Sequence, residues 1–193
     1  MTGPAARAGR AAVSRTAADG ARVAVVGLSA GASMAALLVT RHPDRFRAVV
    51  MHSGVPPGLA HSSVSALGAM RGRHAAPAAA HPPPPGGSLP PLLVIHGGVD
   101  TVAAARNGLA AARQWAQAAG AVAGPPRVVQ RGRRHPMTVT DYRVGRRLAA
   151  RLVEIGRLGH AWSGGAAGQP HGDGRGPDAS RMAWSFIARA LRG

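Results

Sequence analysis

An α/β fold built on a mostly parallel sheet is what this 193-residue sequence predicts, and three observations predict it. Compact runs rich in valine, leucine and isoleucine recur along the chain, each closed by glycine or serine within a few residues. Stretches with apolar residues at helical spacing stand between them and after them. Strands alternating with helices place the helices as crossovers, and right-handed crossovers produce parallel neighbours. A length of 193 residues suits one domain with a real core.

The first strand is expected at 22–26, Arg-Val-Ala-Val-Val. Behind it Ala30, Met34, Leu37 and Leu38 fall on one helical face, and Pro43 stops that helix. Residues 46–51 hold a second buried strand, Ala48-Val49-Val50-Met51, ending at His52-Ser53-Gly54. From 55 to 91 periodicity is poor and prolines cluster at 82–85, so this segment reads as a surface excursion with one short helical turn near 65–70. The clearest strand is 91–95, Pro-Leu-Leu-Val-Ile, closed by His96-Gly97-Gly98. A helix follows in which Ala105, Leu109, Ala112 and Ala116 share a face beside Trp115, with Gly120 at its end. Val128-Val129, 137–144 and 152–155 are strand-like, and Gly145 between the last two signals a hairpin. A glycine-rich loop spans 164–176. Asp178 then caps a final helix with Ala183, Phe186, Ile187, Ala190 and Leu191 on its apolar face.

The chemistry centres on Gly27-Leu28-Ser29-Ala30-Gly31. A serine between glycines where a strand turns into a helix has the form of a nucleophile elbow. The turn is tight enough that residues two places either side of the serine must lack bulk, and the helix behind aims its positive dipole end at the reacting oxygen. The Ala30 N–H then stands as one oxyanion donor.

A serine hydroxyl needs a base to accept its proton and an acid to orient that base. With the nucleophile at an elbow, the partners are sought in the order Ser, Asp or Glu, His, each on a loop after a later strand. Among seven acidic residues, Asp100 follows the 91–95 strand by a tight turn and reaches the same sheet edge as Ser29. Asp19, Asp44 and Asp141 lie at wrong strand ends or beside helices, Glu154 is inside a strand, and Asp173 and Asp178 come too late. Of nine histidines, His160 lies just past the last strand and before the final helix, where a base can fold back over the serine. His171 is its rival but has no strand feeding it. His52 and His96 each close a strand and read first as structural histidines.

These residues resemble the poly(3-hydroxybutyrate) depolymerase type of esterase, within the α/β-hydrolase superfamily. The matching segments are 27–31 with Met34-Ala35-Ala36, His52-Ser53-Gly54, 96–102 (His-Gly-Gly-Val-Asp-Thr-Val), Arg106-Asn107-Gly108, 159–165 (Gly-His-Ala-Trp-Ser-Gly-Gly) and 175–180 (Arg-Gly-Pro-Asp-Ala-Ser). The resemblance runs from about Ala21 to the C-terminus and implies Ser29 as nucleophile, Asp100 as orienting acid and His160 as general base. Trp162 and His52 are expected to line the substrate groove. The family acts on polyhydroxyalkanoates and on feruloyl or acetyl esters of plant polysaccharides, and most members are secreted; no signal peptide is visible at the N-terminus here. Members place several strands and an oxyanion loop before the nucleophile, whereas about twenty residues precede the first strand here. The expectation is therefore the C-terminal portion of an α/β-hydrolase fold, truncated at its N-terminus with early strands missing. It comprises a poorly ordered Ala/Arg-rich segment at 1–20 and a partial catalytic domain at 21–193. Substrate would be an ester, possibly polymeric.

Composition weighs against other classes. All 24 basic residues are arginine, for a net charge of +17, yet alanine, glycine and proline are inflated with them, and aromatic residues make up only 3%. Scattered arginines with few rings for base stacking read as compositional bias, and no nucleic-acid partner is expected. No apolar run approaches the ~20 residues that span a bilayer, so no membrane partner is expected either. Without cysteine there is no disulfide and no thiolate metal site; no metal or cofactor is implied. Two alternatives stand beside the active esterase: an inactive fragment lacking the oxyanion loop, and a basic polyanion-binding protein.

Overall fold

The computed structural model describes residues 19–59, 68–72, 89–166 and 168–192. Most of the 1–20 segment and most of the proline-rich excursion lie outside the described residues. Strand β1 (Ala24–Leu28) leads through Ser29 into helix α1 (Ala30–Arg41), then a 3-10 turn (Pro43–Arg45) and β2 (Ala48–His52). After the excursion come β3 (Leu92–Gly97), α2 (Arg106–Ala118), β4 (Val122–Ala123), β5 (Arg127–Val129), β6 (Met137–Val144), β7 (Arg147–Ile155), β8 (Trp162–Ser163), β9 (Gly172–Asp173) and α3 (Ala179–Ala190).

The main sheet runs β1-β2-β3-β7-β6-β4, with β5 also paired to β6. Neighbours from β1 through β7 are parallel, while β6 pairs antiparallel with β7, β4 and β5. Every residue of β2 and β3 is buried. Alternate side chains explain this: Val49, Met51, Leu92 and Val94 pack under α1 and α2, while Ala48, Val50, Leu93 and Ile95 pack under α3. A strand covered on both faces reads as a continuous apolar run, which is why these two were plain in the sequence.

Four expectations are corrected. Strand β1 starts at Ala24 and extends to Leu28, because Gly27 and Leu28 pair with Met51 and His52. Helix α1 buries Ala32, Ala35, Ala36 and Val39 instead of the Met34 face, and Met34 is 61% exposed. The close approach of the helix to the sheet selects the small-residue side: a side chain at Gly54 would already collide with Ala32. Strand β7 begins at Arg147, not Leu152, since β6 pairs with it along its whole length and Gly145 (φ 56°) turns the hairpin. The glycine-rich loop, finally, holds the two-stranded pair β8–β9. The last helix is capped as expected, with the Asp178 carboxylate accepting the Arg181 N–H at 2.8 Å.

Candidate active site

Three side chains converge beyond the carboxyl ends of β1, β3 and β7. Ser29 sits at φ 55°, ψ −122°, a conformation that costs a non-glycine residue roughly 1–3 kcal/mol. The surroundings impose it: the Ser29 N–H donates to the His52 carbonyl at 2.8 Å, and the helix begins at the next residue. Gly27 is required, because a Cβ there would run into the Gly31 carbonyl. Gly31 itself has open space where a side chain would go, so the crowding acts on one flank and not on both as the motif suggests. The Ser29 side chain caps nothing in α1 and is left for other use.

The Ser29 hydroxyl lies 2.9 Å from His160 Nε2, and His160 Nδ1 lies 2.9 Å from Asp100 Oδ2. A carboxylate only accepts, so Nδ1 carries the hydrogen and Nε2 presents its lone pair to the serine. Asp100 is held from the other side: Oδ1 accepts the N–H groups of Val102 (3.0 Å) and Ala103 (2.8 Å), and the residue is buried. The two donors on Oδ1 come from the turn that follows Asp100, and His160 completes the set on Oδ2.

Other described histidines lie outside this relay. His52, expected to line the groove, is fully buried and touches no open surface. Its Nε2 accepts the Ser163 N–H at 3.2 Å, its Nδ1 faces Ser53 Oγ at 3.2 Å, and its ring stacks on Trp162 with centroids 4.9 Å apart. Burial pushes its pKa down to about 3, helped by the neighbouring His96 and His160. It is thus a neutral bracket joining the elbow, through its carbonyl, to the His160 loop, through its ring. Trp162 is half-buried behind that loop and donates to Ser180 Oγ at 3.1 Å. His96 is buried with its Nε2 donating to the Ala103 carbonyl at 2.9 Å, and its pKa too is lowered, chiefly by burial. His171 is exposed in the β8–β9 turn. His135 pairs with Asp173 at 3.1 Å and ties that loop to the start of β6.

Among the other acids, Asp141 is gripped by Arg151, Arg143 and Arg127, with the Arg151 bond the main reason its pKa falls below the usual range. Asp173 is also lowered: burial opposes its charge, but the Arg175 N–H, His135 and the Arg175 guanidinium outweigh burial. No group of three or more His, Asp or Glu side chains arranged to hold a metal ion occurs among the described residues, and no helix there is long and apolar enough to cross a membrane.

The strained serine between a parallel strand and a helix, with acid and histidine after later strands of the same sheet, defines an α/β-hydrolase-type fold. The sequence model of the esterase PHB depolymerase family matches residues 5–133, and the chain belongs to that family. Among solved structures, it is similar to an acetyl xylan esterase from Aspergillus awamori, with a TM-score of 0.74 at 20% identity over 95% of this chain. The chain spans 65% of the length of that esterase. No curated protein matches the sequence.

Proposed function

We propose that this chain is a serine hydrolase of carboxylic esters, with Ser29 as nucleophile, His160 as general base and Asp100 as the acid that orients it. The observation that carries the reading is the pair of 2.9 Å contacts linking Ser29 to His160 and His160 to Asp100. The Ser29 hydroxyl attacks the ester carbonyl as His160 Nε2 takes its proton. The tetrahedral intermediate collapses, His160 returns the proton to the leaving alcohol, and an acyl-Ser29 ester remains. Water then repeats the sequence and frees the acid. Asp100 fixes the imidazole tautomer and stabilises the imidazolium.

The Ala30 N–H is the oxyanion donor of this reading. It heads α1, where the first N–H groups have no intrahelical partner, and the helix dipole favours negative charge there. By the family resemblance the second donor belongs to a loop ahead of the nucleophile strand, and this reading assigns only Ala30 to the role. Loss of one donor typically lowers turnover by about 10²–10³, so the favoured second reading is an elbow that acylates but turns over slowly. Family membership supports esters of hydroxyalkanoates or of polysaccharides as substrates, and an extracellular setting. The catalytic unit of this reading runs from residue 21 or earlier, since the family match begins at residue 5.

A fluorophosphonate probe tests the assignment. Labelling of the folded protein at Ser29, lost in Ser29→Ala with the circular dichroism spectrum unchanged, is the expected result. Absence of labelling in folded protein overturns it. Labelling with hydrolysis of p-nitrophenyl butyrate about 10²–10³-fold below that of a complete esterase is the outcome for the single-donor reading.

A further inference from the structure

One face of α1 is apolar yet uncovered. Met34 is 61% exposed, and Leu37 is only partly buried one turn on. This face borders a cavity of about 230 Å³ that opens at Ser29. Its far wall is the Val55-Pro56-Pro57 segment after β2, with Met70 across the mouth. No ionisable side chain lines it among the described residues. Two of its hydroxyls are already engaged, since Ser33 Oγ accepts the Val55 N–H at 2.9 Å and Ser53 Oγ contacts His52 Nδ1. What is left facing the cavity is aliphatic surface, and a sugar or a charged group would find few partners there.

The position of His160 orients a substrate relative to this cavity. His160 must hand its proton to the leaving alcohol, so the alcohol portion lies on the His160 and Trp162 side of Ser29. Neither residue borders the cavity, whereas Ala30, whose N–H would receive the carbonyl oxygen, does. With the oxygen at Ala30 and the alcohol toward His160, the acyl chain points into the cavity.

We infer that this cavity is the acyl pocket, that it takes an uncharged aliphatic acyl chain, and that Met34 and Leu37 set the chain length accepted. The inference rests on the hydrolase reading above. The selectivity belongs to the acid half of the ester; the alcohol half is left to the opposite side of the serine.

Two ester series measure this. One varies the acyl chain from acetate to decanoate on p-nitrophenol; the other varies the alcohol on butyrate. Met34→Trp places bulk in the cavity from an exposed position, so the fold has little reason to object. Its hexanoate-to-acetate ratio of kcat/KM is expected to fall at least tenfold, the scale of one or two methylene contacts, while the ranking of alcohols stays fixed. Met34→Ala serves if the tryptophan variant does not fold, and its optimum should move toward longer chains. An acyl profile unmoved by either substitution, or a change confined to the alcohol series, overturns the acyl pocket while Ser29 labelling persists. Loss of Ser29-dependent labelling in the parent protein removes the hydrolase reading, and this inference falls with it.

Discussion

The two flanks of the nucleophile's own strand could hardly differ more. On one side β1 pairs along its length with β2, whose five residues are all buried; on the other side no described strand pairs with it, and Val26 is 43% exposed. The centre of the sheet, β2, β3 and β7, is sealed between α1 and α2 on one face and α3 on the other. Asp100 and His160 follow central strands, whereas Ser29 follows the edge strand. Site geometry therefore depends on how firmly the edge is held to the centre. Beyond the β1–β2 ladder, His52 links both sides of the site: its carbonyl takes the Ser29 N–H and its ring takes the Ser163 N–H.

The contrast is sharpest in stability. Leu152, 1% exposed in β7, contacts the core beneath α2, and Leu152→Ala should cost about 2–5 kcal/mol in chemical denaturation. Val26→Ala on the open edge should cost well under ~1 kcal/mol, in keeping with substitutions at half-exposed positions. Equal costs would mean that the edge is covered as well as the centre.

A smaller effect separates the two glycines of the elbow. Gly27→Ala forces the elbow against the Gly31 carbonyl and should destabilise by about 1–3 kcal/mol while also displacing Ser29. Gly31→Ala meets open space in the first turn of a helix and should stabilise by roughly 0.5–1 kcal/mol. Similar losses at both sites would show that the crowding is symmetric after all.

The bracket between edge and centre makes its own signature with pH. His52 titrates near 6.5 when unfolded but only at about 3 when folded. Its burial as a neutral ring is free of cost above pH 6.5. Below that, the unfolded chain takes up a proton that the folded chain refuses, and stability falls with pH by up to about 1.4 kcal/mol per unit. His96, also lowered by burial, adds in the same direction. Asp141 and Asp173 are lowered carboxylates whose contribution is intact above about 3.8 and is lost only in stronger acid. Between pH 6.5 and 4 the slope should therefore come from histidine. His52→Gln, which keeps an acceptor for Ser163, should flatten urea midpoints over that range; an unchanged slope would assign the effect elsewhere.

What could be read from the chain alone divides along the same line. β2 and β3 were legible because both their faces are covered, and a doubly buried strand leaves an uninterrupted apolar run. β4, β8 and β9 are two-residue strands with no period to detect. The chain order of serine, aspartate and histidine singled out three side chains whose polar atoms come within 2.9 Å, because each follows a strand end in turn. His52 was read correctly as a structural histidine at a strand end but not as a residue lining the groove, since its use is through a backbone carbonyl and a buried ring, and neither is written in a residue's type. Met34 misled in the opposite sense: apolar and at core spacing, it faces a cavity instead.

Sequence alone therefore determined the elbow, the buried strands and the N-cap at Asp178, which depend on neighbours within a few residues, and the candidate acid and base, which depend on the order of strand ends along the chain. Only the tertiary structure decided which face of α1 is buried, which histidine is a brace, and that β1 pairs with β2 alone among the described strands. Those outcomes depend on which surfaces meet across the fold, and spacing along a chain carries no record of that.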